Sequence, residues 1–316
     1  MDRLDWIALA WHAQLGPAAF HRLIDRFGSP KAVTQASEEE LLGCRARLKP
    51  EDLERIWSAM EVAPEIAEEI ERLEEDGVRV LCPFDEGYPA PLAALRTAPA
   101  VLCLAGEWDA ARDDPAVAIV GTRSPTDEGA DLARELARRF AEEGVTVVSG
   151  LARGIDTAAH EGALLGGGRT IAILGSGIRI IHPNDNRELA GAIVEQGALM
   201  SELSPKGPPT VRNLMARNRL QSALSKAVIV VESGEQGGSL QTAEDAKRQG
   251  RLLYAVDWAG DRPEAQGTRQ LLAHGALPIR APDEAPHIVE RVRGHALGGS
   301  REMRKSREGP QQLSLF

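Results

Sequence analysis

Glycine-rich turns follow four apolar runs in the middle of the chain, and arginines crowd the segment between the third and the fourth. The turns are Gly121-Thr122-Arg123-Ser124, Gly150 with Arg153-Gly154, Gly175-Ser176-Gly177, and Glu232-Ser233-Gly234 ahead of Gly238-Ser239. The basic segment contains Arg217-Asn218-Arg219, preceded by Lys206 and Arg212. Glycine allows tight turns with outward N–H groups, Thr122 and Ser124 add hydroxyl donors, and an arginine forks onto a phosphate. Together these residue types are suited to holding phosphates.

Other chemistries fit less well. Asp156 and His160 stand at i, i+4 on one helix face, but no third ligand has the spacing a metal needs. Asp156 is instead expected to brace its loop, with His160 as hydrogen-bond partner. Gly175 and Gly177 lack the third glycine of a dinucleotide fingerprint, and no acidic residue closes a strand about 20 positions on. No Walker lysine is present. No metal and no cofactor are therefore expected. Any one of these turns alone is ordinary strand–helix geometry; four sharing a rim with Arg217 and Arg219 carry the phosphate reading.

Ligands collect at the carboxyl ends of parallel strands, so the turns need a parallel sheet to align them. Strands are expected at 116–120, 145–149, 170–174, 198–201, 227–232 and 252–256, alternating with helices near 126–143, 154–165, 185–196 and 239–249. Such alternation means right-handed crossovers and a doubly wound sheet, and strands apolar on both faces suit a sheet covered by helices. Two further strands, 78–81 and 101–104, flank the loop Tyr88-Pro89-Ala90-Pro91. The fold class is α/β, a Rossmann-like, mostly parallel sheet over 78–282. A small all-helical domain over 1–60 and an acidic connector helix over 61–77 precede it. In the helical part Trp6, Ile7 and Leu9, then Phe20, Leu23 and Ile24, recur at helical spacing. The Leu15-Gly16-Pro17 turn is similar to helix-hairpin-helix modules that touch DNA backbone, although its acidic surroundings equally suit packing or a partner. Residues 283–316 read as a polar tail.

The 316 residues suffice for two domains at about 150 residues each. No apolar run is long enough to span a membrane, and Asp2 and Asp5 argue against a secretory leader. Cys44, Cys82 and Cys103 show no metal or disulfide spacing, which points to a reducing cytoplasm. The net charge is −10, yet it is unevenly spread: residues 1–77 hold 17 acidic and 9 basic side chains, while 201–226 hold one acid and five bases. A basic strip on an acidic body suits a polyanion gripped in one place, or else is a solvated helix face. No aromatic residue lies between Phe140 and Tyr254, so several bases cannot stack there on aromatic rings. Binding would rest on backbone phosphates and be salt-sensitive.

The set Gly121-Thr122-Arg123, Ser149-Gly150 with Gly154-Ile155-Asp156 and Ala159-His160, Ser201-Glu202, Arg217-Asn218-Arg219, Val231-Glu232 with Gly238-Ser239-Leu240, and Ala255-Val256 resembles the DNA-processing protein A (DprA/Smf) family. The likeness runs in order from about Tyr88 to Ala281, and the N-terminal helices resemble that family's sterile-alpha-motif-like domain. It implies a cytoplasmic, non-catalytic protein that binds single-stranded DNA, forms a homodimer through the Rossmann-like domain and loads the RecA recombinase in natural transformation. Carried over by motif, the DNA pocket would use Arg123, Gly150, Gly154, Arg217, Asn218, Gly238 and Ser239. The phosphate reading adds Gly121, Thr122, Ser124, Arg153, Gly175, Gly177, Lys206, Arg212 and Arg219. The chain departs from the family pattern at Leu214-Met215, where Phe-Pro is usual and the Phe meets a base. Val211 stands for a common lysine, Gln236-Gly237 for Arg-Ser, and Arg269 for an Asn. The tail is too short for the winged helix of many relatives.

Gln312-Leu313-Ser314-Leu315-Phe316 resembles the short peptide by which bacterial DNA-metabolism proteins bind the sliding clamp. Gln312 would fix its register while Leu313, Leu315 and Phe316 enter an apolar groove; chance occurrence is the competing explanation. Two other functions stay open. Gly237-Gly238 with Glu244 partly resembles the signature of nucleotide phosphoribohydrolases on a related fold, and a pure protein scaffold would leave the basic strip inert.

Overall fold

The computed structural model describes residues 2–260 and 262–295. Nine strands form one sheet: β1 Val78–Leu81, β2 Leu102–Gly106, β3 Ala116–Val120, β4 Thr146–Ser149, β5 Thr170–Ile173, β6 Ala198–Ser201, β7 Ala227–Val230, β8 Leu252–Val256 and β9 Leu277–Ile279. Their spatial order is β1-β2-β6-β5-β4-β3-β7-β8-β9. β1 and β2 pair antiparallel, as do β2 and β6; every other pair is parallel. The expected mostly parallel Rossmann-like sheet is the one observed.

Side-chain alternation explains how helices cover both faces. In β3 all five residues are buried. Ala116, Ala118 and Val120 enter the core beneath helices Asn218–Leu224, Gly238–Arg248 and Gln266–Ala273. Val117 and Ile119 point the opposite way, beneath helices Asp127–Glu142, Ile155–Leu165 and Ala285–Gly294. Burial of Leu136 and Phe140 from the first of these helices contributes about 1.5–3 kcal/mol each.

Helix Ala285–Gly294 occupies positions the sequence places in a polar tail. Its Ala285, Ile288, Val289 and Val292 are buried against the sheet, so the packed domain runs past 282. The N-terminal helices are docked on the sheet. Trp6, Ile7, Leu9, Phe20 and Leu23 share a core with Val78, Val80, Cys103 and Leu174, and Trp6 Nε1 donates to the Ala100 carbonyl at 2.6 Å. Arg179, just past β5, bridges Glu69 at 2.9 Å on the connector helix Ala63–Glu75 and Asp76, the C-cap of that helix, at 2.6 Å.

Candidate nucleic-acid interface

The chain builds β3, β4, β5 and β6 in one direction from the sheet centre, then returns to lay β7 on the other side of β3. A crevice opens at such a switch point because the loops after the two strands diverge. Here it is a cleft of about 400 Å³. Val120, Gly121, Thr122 and Arg123 line it after β3, and Ser233, Gly234 and Gln236 through Ser239 after β7. Leu214, Met215, Arg217, Asn218 and Gln221 form a third wall, with Ala152 and Asp156 at the back.

Buried polar contacts fix each wall. The Glu232 carboxylate, inaccessible to solvent, accepts from Thr126 N at 2.9 Å and Thr126 Oγ1 at 2.6 Å. Thr126 in turn caps helix Asp127–Glu142 through Gly129 N. Thr122 N donates to the Glu232 carbonyl at 2.9 Å, and Ile155 N to the Thr122 carbonyl at 3.2 Å. Gly154, with φ +80°, lies so close beneath this loop that a Cβ would sit 2.5 Å from the Thr122 oxygen. Gly154 therefore supports the Thr122–Arg123 loop from below. Across the cleft, Asn218 Nδ2 donates to the Gly238 carbonyl at 3.0 Å, and Ser239 Oγ bonds Ser233 Oγ at 3.0 Å. No side chain caps helix Gly238–Arg248, whose first turn lines the cleft. Its N–H groups and dipole favour an anion there.

The arginines divide into different roles. Arg123 is exposed at the mouth and has no hydrogen-bond or ion-pair partner among the described residues. Arg217 is buried: its Nη2 meets Asp156 Oδ2 at 3.3 Å and the Gly150 carbonyl at 3.2 Å. Burial pushes its pKa down, partly offset by Asp156, with Arg123 adding repulsion. Gly150 is needed for this arrangement, since a Cβ would fall 1.7–2.0 Å from the Arg217 guanidinium. Arg219 turns away from the cleft to Glu202 Oε2 at 2.6 Å and the Thr97 carbonyl at 3.0 Å. Burial raises the Glu202 pKa despite that partner.

The remaining candidate residues spread outward. Arg153 pairs with Asp185 at 2.6 Å, both side chains 66% exposed. Lys206 is exposed and acts electrostatically on Glu69. The Arg212 guanidinium reaches the Gly16 turn, 3.9 Å from where a side chain would begin. Ser124 is exposed beside Arg123, its N–H donating to Thr122 Oγ1 at 3.2 Å. The glycine turn after β5 is closed by protein: Gly175 abuts Leu214, and Gly177 the carbonyls of Ser204 and Pro205. The structure thus gathers Gly121, Thr122, Arg123, Arg217, Asn218, Gly238 and Ser239 at the cleft, and directs Arg153, Gly175, Gly177, Lys206 and Arg219 elsewhere.

One expected contact is corrected. His160 does not bond Asp156; its Nδ1 lies 2.7 Å from Thr170 Oγ1 in the core. Burial, with the Arg217 charge nearby, lowers its pKa to about 3. Asp156 does brace its loop, its Oδ2 accepting from Ala152 N at 3.4 Å, and it pairs with Arg217 at 3.3 Å. Sequence reasoning also passed over Gln221, although it follows Arg217 by four positions and so shares its helix face. Glu244 projects outward, 60% exposed beside Lys247 at 3.9 Å, and lines no part of the cleft. Glu244, the acid on which the phosphoribohydrolase reading relied, therefore stands outside the cleft. Among the described residues no cluster of His, Cys, Asp and Glu could hold a metal, and no helix is long and apolar enough to cross a membrane.

A doubly wound sheet with an arginine and a helix N-terminus at its switch point defines a Rossmann-like protein with a cleft at that point. Comparison with known proteins narrows this. Residues 79–291 match the family model of DNA recombination-mediator protein A, and the chain belongs to that family. It is 32% identical over 291 residues to protein Smf of Synechocystis sp., covering 87% of this chain and 69% of the relative. It is 41% identical over 206 residues to protein Smf of Escherichia coli, covering 65% of this chain and 55% of that protein. The crystal structure of DNA processing protein A from Streptococcus pneumoniae superposes with a TM-score of 0.76 at 26% identity, over 91% of this chain and 98% of that one. The DNA processing protein A of Helicobacter pylori, whose structure concerns its single-stranded DNA binding mode, gives 0.61 at 29% identity, over 68% and 96%.

Proposed function

We propose that this chain binds single-stranded DNA in the switch-point cleft, without catalysing a reaction, and delivers the strand to the RecA recombinase. The observation that carries the reading is the unpaired Arg123 guanidinium at the cleft mouth, beside the first turn of helix Gly238–Arg248. The strand's phosphates lie between them, with Gly121, Thr122, Ser124 and Ser239 supplying further donors. Gly150, Gly154, Arg217 and Asn218 shape the cleft. Lys206 and Arg212 extend the positive track toward the N-terminal helices. Arg153, Gly175, Gly177 and Arg219 act only by holding neighbouring loops. Family membership and the single-stranded DNA binding of the Helicobacter relative support this reading. We extend the same proposal to RecA loading, a homodimer and a cytoplasmic setting, for which family membership is the support.

The test is binding of fluorescent poly-dT and of the matching duplex at two salt concentrations. We expect salt-sensitive, single-strand-preferring binding, and in Arg123→Ala a weaker complex whose salt slope is smaller by about one. Binding indifferent to salt, or untouched in Arg123→Ala, would give the cleft another ligand. Gln312–Phe316 lies outside the described residues. We propose it as a sliding-clamp peptide: deleting 312–316 should abolish clamp binding and spare DNA affinity, and an intact chain that ignores the clamp ends the idea.

A further inference from the structure

Four consecutive carbonyls in the connection ahead of β2 are each taken by a side chain from a different part of the chain. Arg219 Nη2 donates to the Thr97 oxygen at 3.0 Å, His21 Nε2 to that of Ala98 at 2.8 Å, Tyr88 Oη to that of Pro99 at 2.9 Å and Trp6 Nε1 to that of Ala100 at 2.6 Å. Ala98 and Pro99 are buried, so their carbonyls need partners. The donors come from two helices of the N-terminal domain, Arg3–Ala13 and Pro17–Phe27, from the preceding loop, and from helix Asn218–Leu224 of the cleft wall. Residues 97–100 form a strap between that domain and the cleft.

Helix Asn218–Leu224 lays Leu220, Ala223 and Leu224 on the sheet core. Apolar burial is non-directional; it settles which face is down, while polar contacts settle where the helix stands. Asn218 reaches the Gly238 carbonyl across the cleft at 3.0 Å. Gln249 donates to the Arg219 carbonyl at 3.0 Å and accepts from Ser222 Oγ at 2.9 Å. Arg219 holds Glu202 and the strap, and through the strap the helical domain. A second contact reaches the same wall independently. Helix Val211–Ala216 supplies Leu214 and Met215 to the cleft and buries no residue of its own. Its Arg212 meets the turn at Gly16, the N-cap of the helix that carries His21. Helix Pro17–Phe27 thus stands behind both halves of this wall.

We infer that the N-terminal helical domain positions the third wall of the cleft, with His21 and Arg219 as positioning residues at the two ends of the 97–100 strap. The strap is the contiguous chain of contacts that such coupling needs. A displaced strap shifts Arg219, and Asn218 on the same helix carries the shift to Gly238, at the helix terminus proposed for the phosphate. The coupling is reciprocal, so a ligand in the cleft is felt at Trp6 and His21. Its consequence for binding rests on the proposed strand-binding reading.

The experiment compares wild type, His21→Leu and His21→Gln, which keeps a donor, by amide hydrogen exchange of the ligand-free protein and by affinity for a labelled dT strand. In His21→Leu, exchange in helix Asn218–Leu224 should quicken and strand affinity fall, each by roughly two- to thirtyfold. Exchange in helix Asp127–Glu142, on the other face of the sheet, should stay as it was, and His21→Gln should restore both quantities. In an Arg219→Met/Glu202→Leu background, where the strap is already cut from the wall, His21→Leu should add nothing. Unchanged exchange in helix Asn218–Leu224, or quickened exchange with strand affinity intact, overturns the inference. Should His21→Leu not fold, the Trp6 Nε1–H resonance of the wild type must move when the dT strand is added, or the inference falls. A wild type that binds no strand, yet shows the quickened exchange in His21→Leu, keeps the positioning role and removes the strand reading.

Discussion

Replacing Asp156 by alanine leaves the Arg217 guanidinium buried with only the Gly150 carbonyl as acceptor. The pair is 6% and 7% exposed, so water cannot take over the lost contact. Removing one partner of a buried pair costs about 3–5 kcal/mol. The separation of 3.3 Å exceeds the ~2.7–2.9 Å of a tight charge-assisted bond, which places the cost near the lower figure. Proximity to Arg123 acts in the same direction, since it already disfavours the charged form of Arg217. With a urea m-value of about 3 kcal/mol/M, a loss of ~3 kcal/mol lowers the unfolding midpoint by ~1 M. Asp156→Leu combined with Arg217→Met removes both charges, and should recover most of that loss because desolvation no longer opposes folding. The assay is urea denaturation of the wild type, both single variants and the double variant. A midpoint shift below ~0.3 M in Asp156→Ala, or a double variant as unstable as the two single losses added together, would show that the pair is not the brace described.

Three further perturbations probe the same scaffold. Gly150→Ala drives a methyl into the guanidinium of Arg217; its destabilisation should approach that of Asp156→Ala and fail to add to it in the double variant, as read from urea midpoints. Glu232→Ala strands the Thr126 N–H and hydroxyl that its carboxylate accepts; we expect a loss of ~1–3 kcal/mol and weaker strand binding as the Arg123 loop loses its anchor, measured by denaturation and fluorescence anisotropy. His160 has a native pKa near 3 against 6.5 for the free side chain, so below pH 6.5 the unfolded chain binds a proton the native state refuses. Stability from this group is complete above pH 6.5 and falls as the pH drops toward 3, approaching ~1.4 kcal/mol per pH unit; His160→Gln should flatten the decline between pH 7 and 5, and parallel profiles would refute the assignment.

The parallel sheet was legible because β3, β4, β5 and β7 are short Val-, Ile- and Ala-rich runs ending in glycine turns. β9 was not. Its Leu277-Pro278-Ile279 is three residues long with a proline inside, which reads as a break, and the edge position is what tolerates it. Helix Ala285–Gly294 was hidden among His287, Glu290, Arg291 and Arg293, although Ala285, Ile288, Val289 and Val292 carry the i, i+3, i+4, i+7 pattern of a buried face. The cleft residues after β3 and β7 were legible as strand ends. The fate of Gly175 and Gly177 was not, because Leu214 and the 204–205 carbonyls that close them come from a distant segment.

Charge shows the limit of a linear reading most sharply. Residues 201–226 look like a basic strip, but Arg217 is taken by Asp156, Arg219 by Glu202 and Lys226 by Asp114 at 3.0 Å. Arg217 and Arg219 are two positions apart, about 200° around a helix, so they face opposite ways; this part of the outcome follows from spacing alone. The identities of Asp156 and Asp114 do not, since they lie 61 and 112 positions away and are brought in by the sheet. What remains for an anion at the cleft is Arg123 and a helix terminus, with Lys206 and Arg212 further along the surface. That modest set fits an acidic protein of net charge −10, which on the proposed reading grips a polyanion at one cleft while repelling it over most of its surface. It also means affinity cannot come from phosphate contacts in number.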